Sequence, residues 1–236
     1  MYASVGNNAQ LTAQLRDFRV LAEEGLVAAS QEPGHKAGWG IVAYSQGQPI
    51  YIARRPTDAS TDPAYLEACS RLDRVTHDGM VLVHLRKAAP ATIGETNTHP
   101  FTYDCWAFAH NGGIKNPEWP QGIPLEGSTD SERFFKTICL HMREGRQATE
   151  AIRRSVEDIR SSRKYSSLTF LMTDGRSLYA YREYNRDAEY YTLLYAHLGD
   201  SVLLCQEPLW NLPWQETPNR ALVTVEGRLK VTQVYL

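Results

Sequence analysis

The chain has 236 residues, is 42% hydrophobic and 22% charged, and carries a formal net charge of −2. That composition is ordinary for a globular protein and leaves no basic excess for nucleic acid. No run approaches the roughly 18 apolar residues of a membrane span, and the opening MYASVGNNAQ lacks the basic and apolar regions of a secretion signal, so a single cytoplasmic domain over residues 1–236 is expected, with neither membrane nor nucleic acid as a partner.

In chain order, residues 9–28 place Leu11, Leu15, Phe18 and Ala22 at helical spacing and predict one amphipathic helix. After a loop at Pro33-Gly34, Trp39–Tyr44 and Gln48–Arg54 read as a hairpin turning at Gly47. A helix is expected over Asp62–Leu72, then a buried strand over Met80–Leu85 and another over Cys105–Ala109 that ends in His-Asn-Gly-Gly. Thr129, Asp130 and Glu132 supply hydroxyl and carboxylate groups suited to start a helix, and a second helix follows from Ala148 to Arg160. The last third reads as strands only: Ser167–Met172, Leu178–Glu183, Tyr190–Tyr195, Val202–Cys205, Ala221–Val225 and Leu229–Val234. Clustered strands and helices argue for layered antiparallel sheets and against a doubly wound parallel sheet.

No glycine-rich phosphate loop opens a helix after a strand, and Cys69, Cys105, Cys139 and Cys205 are too scattered for a zinc cluster. His35, His84, His99 and His110 share no metal-ligand spacing on one element. Neither a cofactor nor a metal is therefore expected. Cys105, five residues before His110, is the cysteine to consider as a thiol nucleophile.

Three groups of segments carry a family resemblance. The first is His35-Lys36-Ala37-Gly38-Trp39-Gly40-Ile41. The second runs from His84-Leu85-Arg86-Lys87-Ala88 through Asn97-Thr98-His99-Pro100-Phe101 to Phe108-Ala109-His110-Asn111-Gly112, and the third is Thr129-Asp130-Ser131-Glu132. In this order they resemble the bacterial stand-alone class II glutamine amidotransferases. The resemblance implies an α+β fold, the four-layer αββα sandwich of two antiparallel sheets of the N-terminal-nucleophile (Ntn) hydrolases. It also implies attack on the side-chain amide of glutamine by an N-terminal cysteine whose own amine is the base. By the same resemblance Asn111 and Gly112 form the oxyanion hole, Arg86 holds the substrate α-carboxylate, and Asp130 holds its α-ammonium. His99, Trp39 and Gly40 line the substrate site. Glutamine or a γ-glutamyl small molecule is the implied ligand, with an ammonia-accepting partner protein in the amidotransferase case.

The chain departs from the family at its start. Family members begin Met-Cys-Arg, whereas this chain begins Met1-Tyr2-Ala3, so the nucleophile is absent from it. Aligning Tyr2 with the family's aromatic puts the cysteine two residues ahead of Met1. Ala37, Ala89 and Gln206 replace the usual Asp, Thr and Ser. Three readings follow: an enzyme whose cysteine precedes Met1, an inactive relative that binds amino-acid or γ-glutamyl ligands, and, less favoured by Arg86 and Asp130, an amidase of the same fold. In all of them Arg86, Asn111, Gly112 and Asp130 are expected in one pocket near the N-terminus.

Overall fold

The computed structural model describes the chain apart from residues 8, 29–30, 76–77, 117–121 and 228, with the backbone alone at 51, 73–75 and 78. Its first sheet combines β1 (Tyr2–Asn7), β2 (Gly38–Ser45), β3 (Gln48–Arg55), β4 (Asp78–Arg86), β9 (Leu194–Leu198), β10 (Ser201–Cys205) and β11 (Gln215–Glu216), in the order β11-β9-β10-β1-β4-β2-β3. The second combines β5 (Phe101–Tyr103), β6 (Trp106–Asn111), β7 (Thr169–Thr173), β8 (Leu178–Arg182), β12 (Ala221–Glu226) and β13 (Lys230–Tyr235), in the order β13-β12-β8-β7-β6-β5. The paired strands are antiparallel throughout.

Alternation along the strands builds the layers, because successive side chains leave a strand on opposite faces. Ala3, Val42, Met80 and Leu82 of the first sheet meet Ala107, Ala109, Leu171 and Val223 of the second in an inner core. On the far side of the first sheet, Tyr2, Trp39, Ile41 and Val83 pack under α1 (Leu11–Phe18), α2 (Leu21–Glu24) and α3 (Pro63–Val75), through Leu15, Phe18, Tyr65 and Leu72. On the far side of the second, Phe108, Phe170 and Tyr181 pack under α4 (Asp130–Arg143) and α5 (Ala148–Ser162), through Phe134, Phe135 and Ile152. The result is the four-layer αββα sandwich.

Three expectations need correction. Residues 9–28 form two short helices, because the ladder tightens between them: Val20 N–H donates to Asp17 and Ala22 N–H to Arg19. The second helix stops at Gly25, where a Cβ would lie 2.5 Å from the His35 ring. The strand expected over Tyr190–Tyr195 begins only at Leu194; its first residues fold into a turn, with Tyr190 and Tyr191 N–H bound to the Asp187 carbonyl and Arg182 donating to the carbonyls of Ala188 and Tyr191. Strand β1 has no counterpart among the expected elements, and it is a central strand of its sheet, between β10 and β4.

Candidate active site

At one end of the sandwich the N-terminal end of β1, the C-terminal ends of β4, β6 and β10, and the first turn of α4 enclose a cavity of about 330 Å³. Met1, Arg86, His99, Asn111, Gly112 and Asp130 are among its lining residues. Strand parity accounts for much of this. His84 and Arg86 continue the inward face of Met80 and Leu82, and Asn111 continues that of Ala107 and Ala109.

Arg86 is buried, and its guanidinium donates to the Thr92 carbonyl (3.0 Å) and hydroxyl (3.2 Å). Among the described residues it forms no ion pair. Burial lowers its pKa, and the nearby Asp130 charge opposes that shift. Asp130 opens α4 just after the N-cap Thr129, whose hydroxyl accepts from Glu132 N–H at 3.1 Å. One Asp130 oxygen accepts the Ile114 N–H at 2.6 Å, which ties the helix start to the chain leaving β6. The Glu132 carboxylate accepts from the N–H groups of Glu126 and Gly127, closing the preceding loop over the helix. A buried guanidinium and a carboxylate on one cavity form a dipolar cradle suited to a free amino-acid head group.

Asn111 and Gly112 stand opposite the end of β1. A Cβ on Gly112 would lie 2.0 Å from the Ser167 carbonyl oxygen, so only glycine permits this close approach. The Asn111 amide donates to the Gln206 side-chain carbonyl (3.3 Å), and that same oxygen accepts from the Met1 amine (3.5 Å). Two donors on one oxygen assign the Gln206 amide, whose nitrogen is buried and without a hydrogen-bond partner among the described residues. Burial lowers the pKa of the Met1 amine to about 6, while Cys205 and Glu207 pull the other way. Gln206, Glu207 and Tyr190 also line the cavity. The sequence flagged Gln206 only as a departure; its position directly after the apolar strand β10 was the available sign that it stands at a strand end.

The histidines are scaffold and wall. The rings of His84 and His99 stack at 4.4 Å, and His99 also packs on Phe101 at 4.4 Å. Burial holds both imidazoles well below their ordinary pKa, as it does for His35, lowered to about 4. His110 points to the opposite face of β6, where Nε2 lies 3.1 Å from the Ser167 carbonyl and Nδ1 2.9 Å from the Ser131 hydroxyl. A carbonyl only accepts, so Nε2 carries the proton and the neutral ring accepts from Ser131. The described residues contain no group of three or more His, Cys, Asp and Glu arranged to hold a metal.

Two expected site residues fall outside the cavity wall. Trp39 faces the helical layer, with its indole N–H 3.1 Å from the Asp62 carboxylate and its ring edge-on to Tyr65. Gly40 pairs with His84 between β2 and β4, and a Cβ there would sit 2.2 Å from the His99 carbonyl oxygen, so its contribution is to let β2 approach the His99 segment. Cys105 is exposed in the turn between β5 and β6 and does not line the cavity; burial and Asp174 raise its pKa, the wrong direction for a nucleophile. Cys205 lies beside Met1, but burial pushes its thiol up to about 12.

Among the described residues no helix is long and apolar enough to cross a membrane. Comparison with solved structures gives a TM-score of 0.67 at 19% identity to a glutamine aminotransferase class-II domain protein from Silicibacter pomeroyi, over 99% of this chain and 97% of that one. The glutamine phosphoribosylpyrophosphate amidotransferase of B. subtilis gives 0.67 at 17% identity, over 99% of this chain and 48% of that larger one. These likenesses establish the fold. In sequence, the chain is 29% identical to an uncharacterized protein of Methanocaldococcus jannaschii over 82% of its own length and 62% of the relative's. It is 28% identical over 81% of its length and 76% of the relative's to the Escherichia coli protein YafJ, which carries a provisional glutamine amidotransferase name. The family model for class II glutamine amidotransferases matches residues 6–209, most of the chain. This chain belongs to the class II glutamine amidotransferases.

Proposed function

We propose that the cavity takes glutamine or a γ-glutamyl amide by its free amino-acid head and hydrolyses the amide with a thiol carried ahead of Met1. The carrying observation is the shared cavity of Arg86, Asp130, Asn111, Gly112 and the end of β1. Arg86 accepts the α-carboxylate and Asp130 the α-ammonium, which leaves the side-chain amide to reach toward Asn111 and Gly112. Tyr2 pairs with Val83 in β4, so extending β1 by two residues in register brings the added terminus level with Arg86. At about 3.3 Å per residue this is an advance of roughly 7 Å. The terminal side chain then falls on the parity of Met1 and Ala3, the inward face on which Asn111 also lies.

In this reading the terminal amine takes the thiol proton and the thiolate adds to the amide carbon. The resulting oxyanion is held by the Asn111 amide and the Gly112 N–H. The terminal ammonium returns that proton to the leaving nitrogen as the tetrahedral adduct expels ammonia or the amine, and water then cleaves the thioester to release glutamate and restore the thiol. Ammonia then enters solvent or reaches an acceptor on a partner protein. The test is to compare the chain beginning at Met1 with one beginning Cys-Arg-Met1 after removal of the initiator. Release of ammonia from glutamine, or of amine from a γ-glutamyl amide, by the second protein alone supports the proposal. An extended protein that binds these ligands without turnover makes it a binding module, and one that does neither overturns the ligand assignment as well.

A further inference from the structure

Behind the oxyanion segment lies a second, larger cavity of about 820 Å³, between the chain leaving β6, the end of α5 and the loop after β8. Its lining carries six cationic side chains, Lys115, Arg160, Arg163, Lys164, Arg186 and Arg220, and no acidic one among the described lining residues. The chain as a whole has fewer basic than acidic residues, 25 against 27. Six cations on one wall are therefore a concentration that the overall composition does not supply. Arg160 and Arg220 flank the buried Glu183 at 3.0 and 3.4 Å, and Arg186 lies 3.6 Å from Asp187. Glu183 is already satisfied by Arg160, Tyr165 and Tyr181.

Lys115 and Lys164 are different. Ile114 bridges Tyr165 in antiparallel register, Lys115 N–H donates to the Lys164 carbonyl at 2.8 Å, and Ser166 N–H donates to the Gly113 carbonyl at 2.9 Å. The backbone thus sets the two lysines opposite each other, a like-charge pairing that disfavours the folded state. Neither ammonium meets a carboxylate among the described residues. A ligand with two anionic groups would turn this repulsion into attraction. Gly112 lines the first cavity and Gly113 the second, so such a ligand would sit one residue behind the oxyanion donors.

We propose that this cleft is a binding site for a small polyanion, a molecule carrying two or more phosphate or carboxylate groups, clamped between Lys115 and Lys164 with the arginines around it. The site stands independently of glutamine hydrolysis.

The chain as it stands is titrated calorimetrically with pyrophosphate and with citrate at low and at physiological ionic strength, with orthophosphate as the single-centre control. Saturable binding of at least one polyanion is expected, tighter than orthophosphate and weakened severalfold by salt. Whether pyrophosphate or citrate binds tighter tells a phosphorylated ligand from a polycarboxylate. The double variant K115Q/K164Q should lose at least tenfold in affinity with a thermal midpoint no lower than that of the parent chain, while Arg86→Ala should leave binding intact. Absence of saturable binding, or affinity unchanged in K115Q/K164Q, overturns the proposal. So does affinity lost in Arg86→Ala but kept in the lysine variant, because the anion would then occupy the amino-acid cavity.

Discussion

The two cavities on either side of residues 111–115 hold charge in opposite ways. In the first, Arg86 is buried and held by Thr92, so its guanidinium is fixed in place at the cavity wall. In the second, Lys115 and Lys164 are exposed, on flexible stems that salt reaches freely. Two unit charges 4 Å apart interact by about 1 kcal/mol in bulk water and about 4 kcal/mol near a protein surface. Buried charge therefore selects a head group by geometry, whereas exposed charge gathers ligands by sign and must act in numbers.

Substitutions test that contrast. In the thiol-bearing protein Asn111→Ala should lower kcat by about two to three orders of magnitude, read from single-turnover ammonia release. The next effect is on stability against pH. Burial, helped by the Met1 amine and Lys87, holds His35 at about 4 against an ordinary value of 6.5. Between these values the unfolded chain binds more protons than the folded one, so stability is lost as pH falls through this window, by on the order of 3 kcal/mol. Urea unfolding at pH 7.5 and 4.5 should show the loss, and His35→Asn should shrink it. Arg86→Ala should cost about 10- to 100-fold in kcat/KM, mainly through KM, because the proposed mode of binding loses its charge-assisted pair to the α-carboxylate. Smallest is Lys115→Gln, which should alter urea stability by less than about 0.5 kcal/mol. A loss from Lys115→Gln as large as that from Arg86→Ala would abolish the distinction between the cavities.

The sequence carried the layers well and the site unevenly. Strands buried on both faces, such as β4 and β7, were legible because their apolar runs are short and continuous. β1 was not: Tyr2-Ala3-Ser4-Val5-Gly6-Asn7 is short and rich in small residues, and its place in the sheet comes from β4 and β10, far along the chain. Tyr190 and Tyr191 read as strand because aromatic residues favour strands, yet here Arg182 captures their loop and Tyr190 faces the cavity. The motifs singled out Arg86, Asn111, Gly112 and Asp130, and all four line the first cavity. Trp39 shares a motif with the site and yet serves the core, since neighbouring residues of a strand face opposite sides and Trp39, Ile41 and Ala43 of β2 all face the helices. Gln206 was visible only as an oddity, and its bonds to Asn111 and Met1 depend on contacts 95 and 205 residues apart in the chain.

The seat of β1 also bears on the order in which the protein is made. Tyr2 pairs with Val83 on one side and with Cys205 on the other. The second edge of β1 is covered only by a strand far along the chain, and such long-range pairings are slow to form. Until then the amine at the end of β1 stays in water and keeps an ordinary pKa, because its lowering to about 6 comes chiefly from burial. The amine at the end of β1 thus reports completion of the fold, since its pKa falls only when β10 docks and buries it.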